Sequence, residues 1–252
     1  MKTTRESKSV ILRSDLELIP NIYQLQKLGA GHDGEIYKYK NLVLKLLKYD
    51  VQIRKSKGLM TFEKTIYFQE ELCLRRITKP IDILLDNDGI YVGYVMNYLE
   101  DLSNSKLNTK SVRKTIGDYT LEELICVISD LIVDFETLSN KKVVGRDINR
   151  GSFILTEDFL HLCDMDKYQN DASNARDLNK RNLNFVISKL LYFEMMNFDF
   201  VDKMERRKLI EWIKCCCNDS DFIFSLLKEI TNDNSVNIHD YAVKKAKKLL
   251  LK

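Results

Sequence analysis

Four places in the sequence carry side chains suited to a phosphorylated ligand. Gly29-Ala30-Gly31-His32-Asp33-Gly34-Glu35-Ile36 has the spacing GxGxxGx[V/I]. Backbone without Cβ lets a ligand approach closely, so a glycine loop between antiparallel strands can fold over phosphates. An ordinary hairpin turn uses glycine in the same way. A dinucleotide fingerprint leads into a helix, whereas Ile36-Tyr37-Lys38-Tyr39 continues as strand. Lys45 directly follows the apolar run Leu42-Val43-Leu44, which predicts an inward, positioned ammonium near phosphate oxygens. Lys48 is the alternative, and two solvated lysines on a strand edge are the plainer reading. Asp147 lies in Gly145-Arg146-Asp147-Ile148-Asn149-Arg150-Gly151-Ser152-Phe153-Ile154-Leu155, and Asp164 in Leu162-Cys163-Asp164-Met165-Asp166. Acidic groups on consecutive turns can sit side by side, one orienting a hydroxyl as a base, the other holding Mg²⁺. Taken singly, each is more commonly a turn residue or helix cap.

The elements that must position these groups follow from the hydrophobic pattern. Up to about Leu99 the chain reads mostly as strand, and beyond it mainly as helix. Ile22 to Leu47 reads as strand, glycine turn, strand, tight turn near Lys40-Asn41, and strand. Met60 to Ile77 suits a helix. Ile81 to Met96 reads as a hairpin turning at Asp86-Asn87-Asp88-Gly89. Thr120 and Glu123 form a capping-box pattern, with Leu124, Ile128, Leu131, Phe135 and Leu138 recurring on one helix face. Phe153 to Cys163 reads as a short hairpin. From Leu183 to Met196 apolar residues cover nearly the whole circumference, which predicts a helix buried on all sides. The remainder reads as amphipathic helices with a basic end at Lys244, Lys245, Lys247 and Lys248.

The bulk composition excludes several classes. The 252 residues carry 40 basic and 37 acidic side chains, a net +3 that gives no sign of a global nucleic-acid binder. With two prolines and nine glycines, a disordered or fibrous chain is not expected. Six cysteines form no CxxC pair and only three histidines accompany them, so reduced thiols are expected rather than a structural zinc site. The N-terminus lacks an apolar leader, and no run reaches the roughly 18 apolar residues of a membrane span. A cytoplasmic protein without membrane association is the expectation.

The order of these features resembles the protein kinase superfamily over roughly Leu25 to Met196. The resemblance implies an α+β, bilobal kinase-like fold: an N-lobe over 1–98 with a small antiparallel sheet and one main helix, and a mostly helical C-lobe over 99–252. It implies ATP in the cleft between the lobes, with Mg²⁺ or Mn²⁺. Gly29, Ala30, Gly31, Gly34 and Ile36 would then form the loop over the phosphates, and Lys45 would match the VAIK lysine. Glu70 is the expected partner of that lysine, with Glu71 and Glu63 as alternatives. Met96 would take the gatekeeper position and Asn97, Tyr98 and Leu99 the hinge, with Val43 and Ile154 sandwiching the adenine. Asp147 would match the HRD aspartate and Asp164 the metal-binding DFG aspartate.

Departures from the kinase pattern are equally specific. The HRD histidine is Gly145, the loop lysine is Asn149, and the second metal-binding asparagine is Ser152, a weaker ligand. DFG reads Asp164-Met165-Asp166, and Asp166 is either a compensating metal ligand or a solvated turn residue. The stretch from Asp164 to Leu183 is short and lacks an APE motif. The resemblance therefore implies an atypical phosphotransferase acting on a Ser/Thr or small-molecule hydroxyl, or a pseudokinase that binds nucleotide with little turnover.

Overall fold

The computed structural model describes residues 8–103, 114–145, 148, 152–163, 167–170, 172–196 and 201–251. Contacts divide the chain into two compact units. The first is Met1–Cys73, Thr78–Leu99 and Asp164–Gln169; the second is Leu74–Ile77, Glu100–Cys163 and Asn170–Lys252.

The first unit is built on seven antiparallel strands. In chain order they are β1 (Val10–Leu12), β2 (Glu17–Ile19), β3 (Gln26–Ala30), β4 (Gly34–Tyr39), β5 (Leu42–Leu47), β6 (Asp82–Leu85) and β7 (Tyr91–Asn97). Their order across the sheet is β2-β1-β6-β7-β5-β4-β3. The expected run of three strands from Ile22 is present as β3–β5, although Ile22–Gln24 itself is a short 3-10 turn. Tyr39 pairs with Leu42, so Lys40-Asn41 is the whole β4–β5 connection, and Lys40 takes a left-handed φ of 54° to close it. The β6–β7 hairpin turns at Asp86–Gly89 as expected. The Asp86 carboxylate accepts from the Asp88 and Ile90 amides at 3.0 and 2.8 Å, and Gly89 supplies a φ of 74°.

Two helices insert between β5 and β6. Helix α1 (Val51–Ser56) starts at Asp50, whose side chain accepts from the Ile53 amide at 2.8 Å. Helix α2 (Phe62–Glu71) is capped by Thr61 and ends six residues short of the expected Ile77. The expected last turn, Leu74–Ile77, belongs to the second unit. Asp134, wholly buried, accepts from the backbone amides of Arg75, Arg76 and Ile77 at 2.8, 2.7 and 3.0 Å. Those three N–H groups converge on one carboxylate across a bend at Arg75-Arg76, so they make no helical hydrogen bonds.

In the second unit, helix α3 (Leu121–Asn140) opens with the expected capping box. The Thr120 amide donates to Glu123 at 2.7 Å and the Glu123 amide to Thr120 Oγ1 at 3.1 Å. Its predicted stripe, Leu124, Ile128, Leu131, Phe135 and Leu138, is buried. Strands β8 (Phe153–Thr156) and β9 (Phe159–Leu162) form the predicted hairpin. Helix α4 (Ala175–Met195) begins eight residues earlier than the apolar pattern. Val186, Ile187, Leu190, Leu191 and Met195 are buried, while Phe185, Phe193 and Met196 are only half-buried, so the burial is less than all-round. Helices α5 (Lys203–Asn218), α6 (Phe222–Thr231) and α7 (Ile238–Leu250) complete the unit. Among the described residues no helix is long and apolar enough to cross a membrane.

Candidate functional site

In the first unit the site is built on β5, where successive side chains face opposite sides of the sheet. Leu44 and Leu46 face a core of Val10, Leu12, Ile19, Ile22, Tyr37, Leu84 and Val95. Lys45 and Val43 therefore face the other side. The register gives Lys45 the cross-strand neighbours Ile36 on β4 and Tyr94 on β7, and gives Val43 the neighbour Met96. Of the residues expected to touch nucleotide, Ile36, Val43, Lys45 and Met96 thus share one sheet face. Lys45 is only 6% exposed, so its stem is packed among apolar side chains. The strands beside it approach tightly: a Cβ on Gly93 would come within 2.1 Å of the Lys45 carbonyl oxygen.

Sequence left Lys48 as an alternative to Lys45, and the structure separates the two. Lys48 is exposed, and its Nζ donates to the Gly31 carbonyl at 2.7 Å while its amide donates to the Asp33 carbonyl at 3.1 Å. It ties the glycine loop to the end of β5.

The three glycines of the loop have different reasons to be glycine. At Gly34 a Cβ would stand 2.7 Å from the Leu46 carbonyl oxygen, so β4–β5 pairing requires its absence. At Gly29 and Gly31 a Cβ would meet nothing within 4 Å. Protein packing does not demand glycine there, which leaves backbone open to an approaching group. The loop is braced on one side by Asp33, whose carboxylate lies 3.9 Å from Lys167 Nζ.

At the end of β7, Asn97 makes the last pair with Leu42, and the Tyr98 amide donates to the Asn41 carbonyl at 3.0 Å. The Tyr98 amide is thereby occupied within the sheet, and its ring carries Lys38 Nζ at 3.7 Å. Leu99 follows, half-buried, at the end of the unit.

The three glutamates offered as partners of Lys45 differ by helix phase. Thr65, Phe68 and Leu72 are the buried positions of α2 and its C-cap. At about 100° per residue, Glu71 lies about 60° from Phe68 around the axis and Glu70 about 160° from it. Glu70, preferred from the count back from Pro80, therefore projects away from the buried stripe. Glu71 borders it. Glu63 is 3.5 Å from Lys55 and exposed.

Asp147 and Asn149 of the second unit, and Asp164 and Asp166 of the first, lie outside the described residues. Their flanks are described. The Gly145 carbonyl accepts from Asn182 Nδ2 at 2.9 Å, fixing the chain just before the Asp147 run. Ser152, at its end, is 3% exposed. The Cys163 amide donates to the Ser152 carbonyl at 2.9 Å, beyond the Phe153–Leu162 pair. Ile154 pairs with His161 and is half-buried. Among the described residues no group of three or more His, Cys, Asp or Glu could hold a metal ion.

Sequence reasoning missed Asp134. Its signal was available: a lone carboxylate at Leu131, Asp134, Phe135, Leu138, the apolar spacing of α3. Beside it Asp130 binds Arg75 and Arg76, each at 2.9 Å, and Arg76 also reaches Asp158 at 3.0 Å. Burial raises the Asp134 carboxyl above its ordinary value, against the three amides that favour its charged form. The chain matches no protein-family model and no curated protein.

Proposed function

We propose that this chain is a kinase-like phosphotransferase that moves the γ-phosphoryl of ATP to a hydroxyl of a protein or small molecule. The observation that carries the reading is Lys45: a buried ammonium on one sheet face with Ile36, Val43 and Met96, next to a hairpin whose Gly29 and Gly31 backbone is open. An apolar wall beside a fixed cation suits a base and its phosphates. These residues fit ATP by their chemistry.

In this reading Lys45 neutralises phosphate charge and orients the α- and β-phosphates, and Glu71 is the better-phased carboxylate to steady it. Ile36, Val43 and Met96 exclude water from the base. Asp147 accepts the acceptor hydroxyl's proton. Asp164 and Ser152, with Asp166, are the residues that would hold a divalent ion, which supplies charge neutralisation on the phosphates.

A pseudokinase is the second reading, favoured by one observation. Ser152 stands where the metal-binding asparagine is expected, and it is a short side chain, 3% exposed. The deciding experiment is incubation with γ-labelled ATP and Mg²⁺ or Mn²⁺, followed by a screen for labelled protein and small molecules. Labelled product supports transfer. Saturable ATP binding with no product supports the pseudokinase, and no binding removes both.

A further inference from the structure

Helices α3, α4 and α6 of the second unit leave a groove of about 660 Å³ between them. That volume falls within the ~300–1,000 Å³ of small-molecule sites, which recur between packed helices. Each helix lines the groove with one face. On α3, Ile132, Phe135 and Glu136 stand at i, i+3 and i+4; on α4, Arg176, Lys180 and Leu183 stand at i, i+4 and i+7. Helix α6 adds Ile223 and Leu227, four apart, with Phe224 beside them.

Polarity changes along the groove. Asn179 Nδ2 donates to Ser139 Oγ at 3.2 Å, which sets the start of α4 against the end of α3. Arg176 and Lys180 therefore stand at the end lined by Ser139 and Asn140. One turn further along α4, Asn184 Nδ2 donates to the Asp219 carbonyl at 2.8 Å, just before α6 begins. At this second end the walls are apolar, and Phe135 and Leu183 are buried beneath them.

The protein itself fills neither end. Helix α6 meets its core through Phe222, Leu226 and Ile230. Ile223 and Leu227, half-buried, and Phe224, 74% exposed, are apolar surface beyond that contact. At the other end Arg176 and Lys180 are exposed and enter no ion pair among the described residues. Arg176 lies in the first turn of α4, where the helix's own positive end favours an anion over a cation, and the N-cap Asn174 makes no side-chain hydrogen bond. Asp177, in the same turn, does not line the groove. Glu136 is the one acid that does, so the lining carries two positive charges and one negative.

We infer that this groove binds a small amphiphile with an apolar body and a single carboxylate. Its body lies against Phe135, Leu183, Ile223 and Leu227, with Phe224 over it, and its carboxylate meets Arg176 and Lys180. The surplus of one positive charge matches a monoanion. The groove lies wholly within the second unit and does not depend on the phosphotransferase reading.

The test titrates the full chain, without nucleotide, with decanoate below its micelle concentration by calorimetry at low salt. Decanol and decyltrimethylammonium, with the same chain and a neutral or cationic head, are the comparison. The expected result is saturable decanoate binding, about fivefold or more tighter than either, as two exposed charge pairs imply. Arg176→Ala/Lys180→Ala should remove that advantage and leave decanol binding unchanged. Phe224→Ala should weaken decanoate and decanol alike, and Glu136→Gln should tighten decanoate alone. All four side chains are exposed, so the variants should melt within a few degrees of wild type, which thermal unfolding checks. Three outcomes overturn the inference: no saturable decanoate binding, equal binding of decanoate and decanol by the wild type, or a decanoate affinity unmoved by the cation variants. Sedimentation supplies a fourth, a reversible dimer lost in Phe224→Ala, which would place a second copy of the chain on the groove instead.

Discussion

The Cys163 amide donates to the Ser152 carbonyl at 2.9 Å, one step past the last β8–β9 pair. The residue before Asp164 and the residue closing the Asp147 run are therefore pinned to each other at the open end of one hairpin. This bond extends the β8–β9 pairing by one step, and Ser152 carries it while buried.

Ser152→Asn tests what the buried serine costs. In the phosphotransferase reading, an amide oxygen at this position is a better metal ligand, so turnover at saturating Mg²⁺ should rise several-fold. Added volume at a site 3% exposed should cost about 1–3 kcal/mol of stability. Steady-state kinetics beside urea unfolding check both arms.

Asp134→Asn should be among the most destabilising isosteric changes in the chain. The amide presents one acceptor oxygen to the three amides of Arg75, Arg76 and Ile77, and its NH₂ opposes donors. Buried donors left unsatisfied cost ~1–3 kcal/mol each, so a loss of about 2–4 kcal/mol is expected. The urea midpoint should fall with little change in slope.

Asp130 has the opposite electrostatic character to Asp134. Burial works to raise its carboxyl, but hydrogen bonds and charge from Arg75 and Arg76 outweigh it and hold it below the ordinary 3.8. A depressed folded value contributes stability that is present above the unfolded pKa of about 3.9 and lost as pH falls through the folded one. Asp134, raised by burial, contributes with reversed sign. Urea unfolding between pH 5 and pH 2.5 should show a shallower acid loss for Asp130→Asn than for the wild type.

Alanine at the loop glycines should separate structure from ligand contact. Gly34→Ala forces a Cβ to 2.7 Å from the Leu46 carbonyl oxygen and should destabilise the sheet. Gly31→Ala meets nothing within 4 Å and should leave stability within about 0.5 kcal/mol, while weakening ATP binding if the loop covers phosphates. Paired thermal melts and nucleotide titrations distinguish the two.

The sequence makes plain those elements whose cause is local. The Thr120 capping box and the β6–β7 turn at Asp86–Gly89 are each written in adjacent residues. What was illegible depends on distant partners. Strands β1 and β2 have three residues each, too few for an alternation to register. Helix α1 spans six residues and carries only a cap as signal. The non-helical course of Arg75–Ile77 is held by Asp134, some 60 residues away. Lys45 was singled out because it directly follows the apolar run Leu42-Val43-Leu44; Asp147 and Asp164 rest on resemblance alone and lie outside the described residues.

The most direct measurement compares γ-labelled ATP turnover and ATP affinity for wild type, Lys45→Ala and Asp147→Ala under Mg²⁺. The account predicts label transfer by the wild type, loss of transfer with ATP binding retained in Asp147→Ala, and loss of both in Lys45→Ala. Transfer at wild-type rate by either variant, or unaltered ATP binding by Lys45→Ala, would contradict it.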